Sequence, residues 1–87
     1  MSMQISDHDA APDQPVRLDL KGLKCPLPAL HTRRALERAL PGARLIVECT
    51  DPMAAIDIPH LVRQTGNELE GQETAALPLV FRIRKAG

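Results

Sequence analysis

The fold of this chain is organised around the stretch Gly22-Leu23-Lys24-Cys25-Pro26-Leu27-Pro28, which joins a short apolar strand to an amphipathic helix. Proline is favoured in the first turn of a helix, where the amide groups have no intrahelical partner, so the two prolines predict a helix start. We expect Cys25 to be the N-cap, with Pro26 and Pro28 as the first and third helical residues. The sulfur would then lie at the positive end of the helix macrodipole, which favours the nucleophilic thiolate.

The residues on either side predict the first strand and the first helix. Val16–Leu20 alternates apolar and polar residues, which is typical of a half-buried strand, and Gly22 suits a turn conformation that other residues avoid. The helix is predicted to end at about residue 40, because Pro41-Gly42 follows. Helical spacing predicts a buried stripe and an opposite, polar face. The stripe is Ala29, Thr32, Leu36 and Leu40, and the polar face carries His31, Arg34 and Arg38.

The middle of the chain predicts a central strand and a second helix. Residues 44–49 contain the compact apolar run Leu45-Ile46-Val47, which is typical of a buried strand. Because Pro59 disfavours a helix that runs through it, we expect the second helix to begin at Asp57 or Ile58, with Asp57 as its cap, and to stop at Gly66-Asn67. Its predicted inner face consists of Ile58, Leu61, Val62 and Thr65.

Two further strands close the chain, a polar one at residues 68–74 and an apolar one at residues 79–84. Strand–helix–strand units favour parallel pairing, whereas the closing pair favours an antiparallel hairpin. We therefore predict an α+β fold. It is a two-layer α/β sandwich of order β-α-β-α-β-β, with two helices on one face of a four-stranded mixed sheet and the other face partly exposed.

The composition argues against several classes of function. The 87 residues make one small domain, and Phe81 is the only aromatic residue. The formal net charge is zero, and from Arg17 onward 11 basic and 8 acidic residues leave a net charge of +3. Because this excess is small and aromatic residues for base stacking are lacking, we expect no direct binding to nucleic acid. The apolar runs are too short to cross a membrane, so we expect no membrane association.

The cysteine count points to a reducing compartment and away from metal. Cys25 and Cys49 form no C-x-x-C pair, and the chain has only three histidines, so we expect no metal and no cofactor. The N-terminus lacks the pattern of a signal peptide, and the predicted location is the cytoplasm. Residues 1–15 are polar and acidic and are predicted to be a flexible leader, with residues 16–87 as the folded domain.

Several short motifs follow one another along the chain. They are Leu18-Asp19, the C-P-x-P stretch of residues 22–28, Pro41-Gly42, Asp51-Pro52, Asp57-Ile58-Pro59 and Ile83-Arg84-Lys85. Over about residues 18–85 this pattern resembles the TusA/SirA-like family of small sulfur-carrier proteins. The resemblance implies the same two-layer fold. It also implies a sulfurtransferase in which Cys25 accepts sulfane sulfur as a persulfide and passes it to another protein, for tRNA 2-thiolation, molybdenum-cofactor assembly or sulfur oxidation.

The resemblance also implies transient partners. They are a sulfur-donor protein, such as a cysteine desulfurase or a rhodanese, and a sulfur-acceptor protein, with the chain itself predicted to be a monomer. Leu27 stands between the two prolines, where the tRNA-thiolation members carry an acidic residue. This departure leaves the partner and the pathway open.

A persulfide carrier needs an exposed, activated thiol and no neighbouring thiol that would resolve the persulfide early. We predict that the helix dipole and Lys24 lower the pKa of Cys25 and so supply a moderately activated thiolate. The residues expected to support Cys25 are Gly22, Lys24, Pro26, Leu27 and Pro28.

The remaining polar residues have structural interpretations beside functional ones. Cys49 ends an apolar strand and is expected to be a small buried hydrophobe, with a resolving thiol near Cys25 as the alternative. Asp19 is expected to hold the loop before Cys25, and His31 to be a surface residue rather than a proton-transfer group. Two sets of basic side chains each have two interpretations, a solvated surface or a contact for a partner. They are Arg33, Arg34 and Arg38 on the first helix, and Arg82, Arg84 and Lys85 on the last strand.

Two other functions remain open beside sulfur transfer. One is a non-catalytic interaction or regulatory module that uses the basic helix face. The other is a thiol redox protein that uses Cys25 and Cys49.

Overall fold

The computed structural model describes residues 15–86, which contain six regular elements in the predicted order β-α-β-α-β-β. The strands are β1 (Val16–Leu20), β2 (Arg44–Cys49), β3 (Glu68–Glu73) and β4 (Leu79–Arg84), and the helices are α1 (Leu27–Arg38) and α2 (Ala54–Gln64). The leader predicted at residues 1–15 lies outside the described residues apart from Pro15.

The four strands form one mixed sheet in the order β1-β2-β4-β3. β1 and β2 are parallel, whereas β4 is antiparallel to both β2 and β3. β4 occupies the interior because Leu79, Phe81 and Ile83 alternate along it and are all buried. β3 has the sequence ELEGQE and no buried residue, so it lies at an edge. The prediction of a four-stranded mixed sheet is confirmed.

Both helices cover the same face of the sheet and complete the second layer. The inward residues of β2 and β4 join residues of α1 and α2 in one apolar cluster. The core is therefore aliphatic, with Phe81 as its largest fully buried side chain. The fully or nearly fully buried members are Leu36, Leu45, Val47, Cys49, Ala54, Ile58, Val62, Phe81 and Ile83.

α1 is shorter than predicted at its C-terminal end. It buries Pro28, Thr32 and Leu36, so the predicted four-residue spacing is correct but begins one residue earlier than Ala29, which is only half-buried. The prediction that Leu40 is buried is wrong, because the helix ends at Arg38 and leaves Leu40 67% exposed.

The end of α1 is held by the residue that follows β4. The Lys85 ammonium donates a hydrogen bond to the Leu36 carbonyl at 2.7 Å. The backbone of Lys85 also pairs with the amide of Gly42 and the carbonyl of Ala43, both at 2.8 Å. A cation at the C-terminal end of a helix satisfies carbonyls that have no intrahelical partner. Lys85 therefore fixes where α1 stops, a tertiary contact that the local sequence does not contain.

α2 begins three or four residues earlier than predicted, at Ala54, and runs through Pro59. Its first three amides each donate to the carbonyl three residues earlier, at 3.0–3.1 Å, so the first turn forms before the chain reaches the proline. The inner face is Ala54, Ile58, Leu61 and Val62. Thr65 was predicted to complete it but is exposed, and its hydroxyl donates to the Leu61 carbonyl at 2.8 Å. The predicted stop at Gly66 is correct, with a positive φ of 76°.

The face of the sheet opposite the helices is charged and partly open, as predicted. Glu48 at its centre pairs with Arg17 at 3.4 Å and with Lys21 at 3.0 Å. Half-buried Ile46 and Val80 lie among these charges. Cross-strand pairs of opposite charge support the register of exposed strands and contribute little each to stability. Neither of the helices described in residues 15–86 is long and apolar enough to span a membrane.

Candidate functional site

Cys25 lies in the connection between β1 and α1, and its side chain is exposed. The predicted cap was wrong by one residue: Pro26 occupies the N-cap, Leu27 is the first helical residue and Pro28 is the second. The reason is a turn before the helix, in which the Leu27 amide donates to the Lys24 carbonyl at 2.8 Å. Both prolines still occupy positions where no intrahelical amide is needed. Cys25 therefore precedes the helix and does not cap it.

The side chain of Asp51 fixes the backbone of Cys25. Its Oδ2 accepts the Cys25 amide, and its Oδ1 accepts the Met53 amide at 3.0 Å. The connection that precedes α2 is thereby joined to the connection that precedes α1. These two backbone hydrogen bonds lower the pKa of Asp51, and the nearby charge of Lys24 adds to the effect.

The residue before Asp51 makes a second contact between the same connections. The Gly22 amide donates to the Thr50 hydroxyl at 2.9 Å, and Gly22 itself has a positive φ of 89°. A side chain at Gly22 would be strained by this backbone conformation. In the sequence, Asp51 stood out only as part of the Asp51-Pro52 motif. The available signal was an aspartate before a proline, because an aspartate side chain in a turn commonly accepts the amide two residues on.

Asp57 contacts the sulfur of Cys25 directly. The Cys25 Sγ donates a hydrogen bond to Asp57 Oδ2 at 3.1 Å. The prediction that Asp57 caps α2 is wrong, because α2 begins at Ala54 and makes Asp57 its fourth residue. Ile58, next to it, is fully buried, so the packing of α2 determines where the Asp57 carboxylate lies. The earlier helix start thus converts a predicted cap into a partner of the reactive thiol.

These carboxylates reverse the predicted effect on acidity. The hydrogen bond to Asp57 is the largest cause that raises the pKa of Cys25 above its ordinary value. Partial desolvation and the negative charges of Asp57 and Asp51 act in the same direction. The prediction that the helix dipole and Lys24 lower this pKa is therefore wrong, because Asp57 contacts the sulfur, the charge of Asp51 adds to its effect, and the charge of Lys24 acts on Asp51. The surroundings of Cys25 therefore favour the thiol over the thiolate.

Cys49 is a buried side chain of the core, as predicted. It is the last residue of β2, its paired neighbours are Leu20 and Leu79, and it has no exposed surface. Burial raises the pKa of Cys49 to about 11. Both cysteines carry free thiols. The alternative of a reactive resolving thiol finds no support in this environment, since a buried neutral thiol is a poor nucleophile.

The residues predicted to support Cys25 divide into two groups. Gly22 and the two prolines shape the backbone around it, and Lys24 is exposed beside Asp51. Leu27 is 43% exposed at the start of α1. Further exposed apolar side chains come from the same segments, namely Leu30 of α1, Met53 at the N-cap of α2 and Ile56 in its first turn.

The other candidate residues lie away from the sulfur contacts. Asp19 Oδ1 accepts the Lys21 amide at 3.1 Å, so it does shape the loop after β1 as predicted. His31 is exposed on α1, and Arg33 pairs with Glu37 at 3.5 Å along the helix surface.

The basic residues of the last strand make structural contacts. Arg82 pairs with Glu73 and Arg84 pairs with Glu68, each at 3.2 Å, as expected of a charged sheet face. Lys85 holds the end of α1. Within residues 15–86, no group of three or more His, Cys, Asp or Glu is arranged as a metal site.

Residues 16–85 match the family model described as sulfurtransferase TusA. The match begins at the first residue of β1 and ends just after β4, so it includes all six elements and every residue that contacts Cys25.

Proposed function

The chain belongs to the TusA sulfurtransferase family, and on that premise we propose that Cys25 carries sulfane sulfur as a persulfide from a donor protein to an acceptor protein. A sulfurtransferase or sulfur-carrier role follows from the family itself. The observation that carries the proposal for Cys25 is its placement. It is the exposed one of two free thiols, at the point where the connections before α1 and α2 meet.

The transfer needs no external oxidant or reductant, because Sγ of Cys25 is oxidised to the persulfide level as the inner sulfur of the donor is reduced to a thiol. In loading, Sγ of Cys25 attacks the outer sulfur of a donor persulfide, and a new S–S bond forms as the donor's S–S bond breaks. The donor sulfur leaves with the electron pair and takes up the proton that Cys25 has lost. In unloading, an acceptor thiolate attacks the outer sulfur on Cys25, and Sγ recovers the electron pair and a proton. One sulfur atom moves in each step.

The surface beside Cys25 supports docking of a larger partner. Leu27, Leu30, Met53 and Ile56 are between 43% and 64% exposed and belong to the two segments that hold Cys25. Exposed apolar groups around a reactive residue are typical of transient protein contacts. The partners proposed are a sulfur donor, such as a cysteine desulfurase or a rhodanese, and an acceptor in tRNA 2-thiolation, molybdenum-cofactor assembly or sulfur oxidation. We propose that the protein meets both partners as a monomer.

The test is intact-mass measurement after incubation with glutathione persulfide, a defined sulfane-sulfur donor. We expect the parent protein to gain the mass of one sulfur atom, and the adduct to disappear on treatment with a thiol reductant. Cys25→Ser should abolish the adduct. Cys49→Ala should retain it, because the buried thiol takes no part in transfer. An adduct that persists in Cys25→Ser would contradict the assignment of Cys25.

The same experiment separates the two other functions. A thiol redox protein would lose the mass of two hydrogen atoms on oxidation and would need both cysteines. Burial and the raised pKa of Cys49 argue against this outcome. A non-catalytic interaction module would form no sulfur adduct with this donor or with a persulfide-loaded desulfurase.

A further inference from the structure

The hydrogen bond between Cys25 and Asp57 distinguishes the empty carrier from the loaded one. In the empty form, the Sγ–H group donates to Asp57 Oδ2 at 3.1 Å. In the persulfide, Sγ is bonded to the outer sulfur, which lies about 2 Å away, and no longer has a hydrogen to donate. The carboxylate then faces sulfur lone pairs, and it faces a second negative charge once the outer sulfhydryl ionises.

The surrounding charges strengthen this preference for the empty form. Asp51 holds the Cys25 backbone with its own carboxylate, so two negative groups lie close to the sulfur. Lys24 precedes Cys25 in the same connection, and its charge acts on Asp51. An anion at the outer sulfur therefore meets repulsion from α2 and from the connection before it.

We infer that Asp57 weakens the hold of Cys25 on sulfur, so that the carrier gives up its cargo readily to an acceptor. The inference rests on the proposed persulfide function of Cys25 and adds a role for a residue outside the C-P-x-P motif. The carboxylate stabilises the product of unloading, because the Sγ–H group that unloading restores donates a hydrogen bond to Asp57 Oδ2. It opposes loading for the same reason, so that a good donor is required to fill the carrier.

The role of Asp57 depends on where the packing of α2 places it. It lies in the first turn of α2, next to Ile58, whose side chain is fully buried. A mobile surface carboxylate would follow the sulfur or move away from it at little cost. Because the packed helix fixes the Asp57 backbone, its carboxylate can move only by rotation of a short side chain and stays near the sulfur.

The experiment is an exchange equilibrium between the protein and the glutathione persulfide–glutathione pair. The loaded fraction is measured near neutral pH by intact mass after rapid alkylation. We expect Asp57→Asn to raise the equilibrium constant for loading about threefold to tenfold, because the substitution removes the charge and leaves the side-chain volume nearly unchanged. The ratio of the loading and release rate constants for a small thiol should rise by the same factor, because that ratio equals the equilibrium constant.

Two further variants separate this effect from a general disturbance of α2. Asp57→Glu keeps the charge and should stay close to the parent protein. Glu37→Gln removes one negative charge at the far end of α1 and should leave the loading equilibrium unchanged. The pH profile of Cys25 alkylation supplies an independent readout, and its midpoint should move to lower pH in Asp57→Asn alone.

The possible results overturn different claims. If the parent protein acquires no sulfur on Cys25, the proposed function fails and this inference fails with it. If the parent protein loads normally but Asp57→Asn loads equally or less, the persulfide function stands and the role of Asp57 is overturned. Equal gains in Asp57→Asn and Glu37→Gln would attribute the effect to overall charge and would also overturn it.

Discussion

The two cysteines lie in opposite surroundings, although both are near the C-terminal ends of β1 and β2. Cys25 is exposed and bonded to a carboxylate, whereas Cys49 is enclosed by Leu20, Leu79 and the rest of the apolar core. The pKa of each thiol is raised, by a hydrogen bond at Cys25 and by burial at Cys49. A raised pKa therefore does not by itself distinguish a functional thiol from a structural one.

The cause of each shift does distinguish them. At Cys25 a single removable group, Asp57, is the largest cause, so substitution or contact with a partner can change the reactivity of the thiol. At Cys49 the cause is the packing of the whole core, which only unfolding removes. One thiol is adjustable and accessible, and the other is neither.

The largest expected contrast is in alkylation. Cys25 should react with iodoacetamide in the native protein, while Cys49 should react only in molecules that have unfolded. A small domain with a free energy of unfolding of about 5 kcal/mol is unfolded in roughly one molecule in several thousand. Alkylation of Cys49 in the native protein should therefore be at least about a thousandfold slower than in the protein unfolded by concentrated guanidinium. Peptide mass spectrometry of timed samples measures both sites, and comparable native rates would contradict the contrast.

The next largest effect concerns the core around Cys49. Phe81→Ala should lower the free energy of unfolding by about 3–5 kcal/mol, because it removes the largest fully buried side chain and leaves a cavity. Chemical denaturation measures the loss, and alkylation of Cys49 should accelerate in parallel. Val80→Ala is the matched control, since Val80 is a half-buried neighbour on the open face and should cost far less. A similar loss in both variants would show that Phe81 does not dominate the core.

The smallest effect concerns a polar group on the helix layer. Thr32 is fully buried on α1, and its hydroxyl has no hydrogen-bond partner among residues 15–86. Thr32→Val replaces the hydroxyl with a methyl group of similar size and should raise the free energy of unfolding by about 1 kcal/mol. The reactivity of Cys25 should stay the same. A loss of stability in denaturant titration would mean that the Thr32 hydroxyl has a hydrogen-bond partner, and would contradict this prediction.

The local sequence pattern was sufficient to predict the strands and helices but not the residues at which the helices begin and end. The alternation in β1 and β4 predicted both strands, and helical spacing predicted Thr32 and Leu36 as inward residues of α1, because each depends on neighbours within one element. The end of α1 depends on Lys85, which is 49 residues from Leu36 in the chain. The start of α2 differs from the prediction because the first turn of the helix forms before the chain reaches Pro59.

The sequence by itself determined the β-α-β-α-β-β order, the exposure of Cys25 and the burial of Cys49, because apolar periodicity and proline positions act over a few residues. Only the tertiary structure decided the chemistry of the sulfur. Asp51 and Asp57 lie 26 and 32 residues beyond Cys25 and reach it only when α2 packs beside α1. An electrostatic field depends on distance in space, so the acidity of Cys25 follows from the packing of the helices and not from the C-P-x-P motif that carries it.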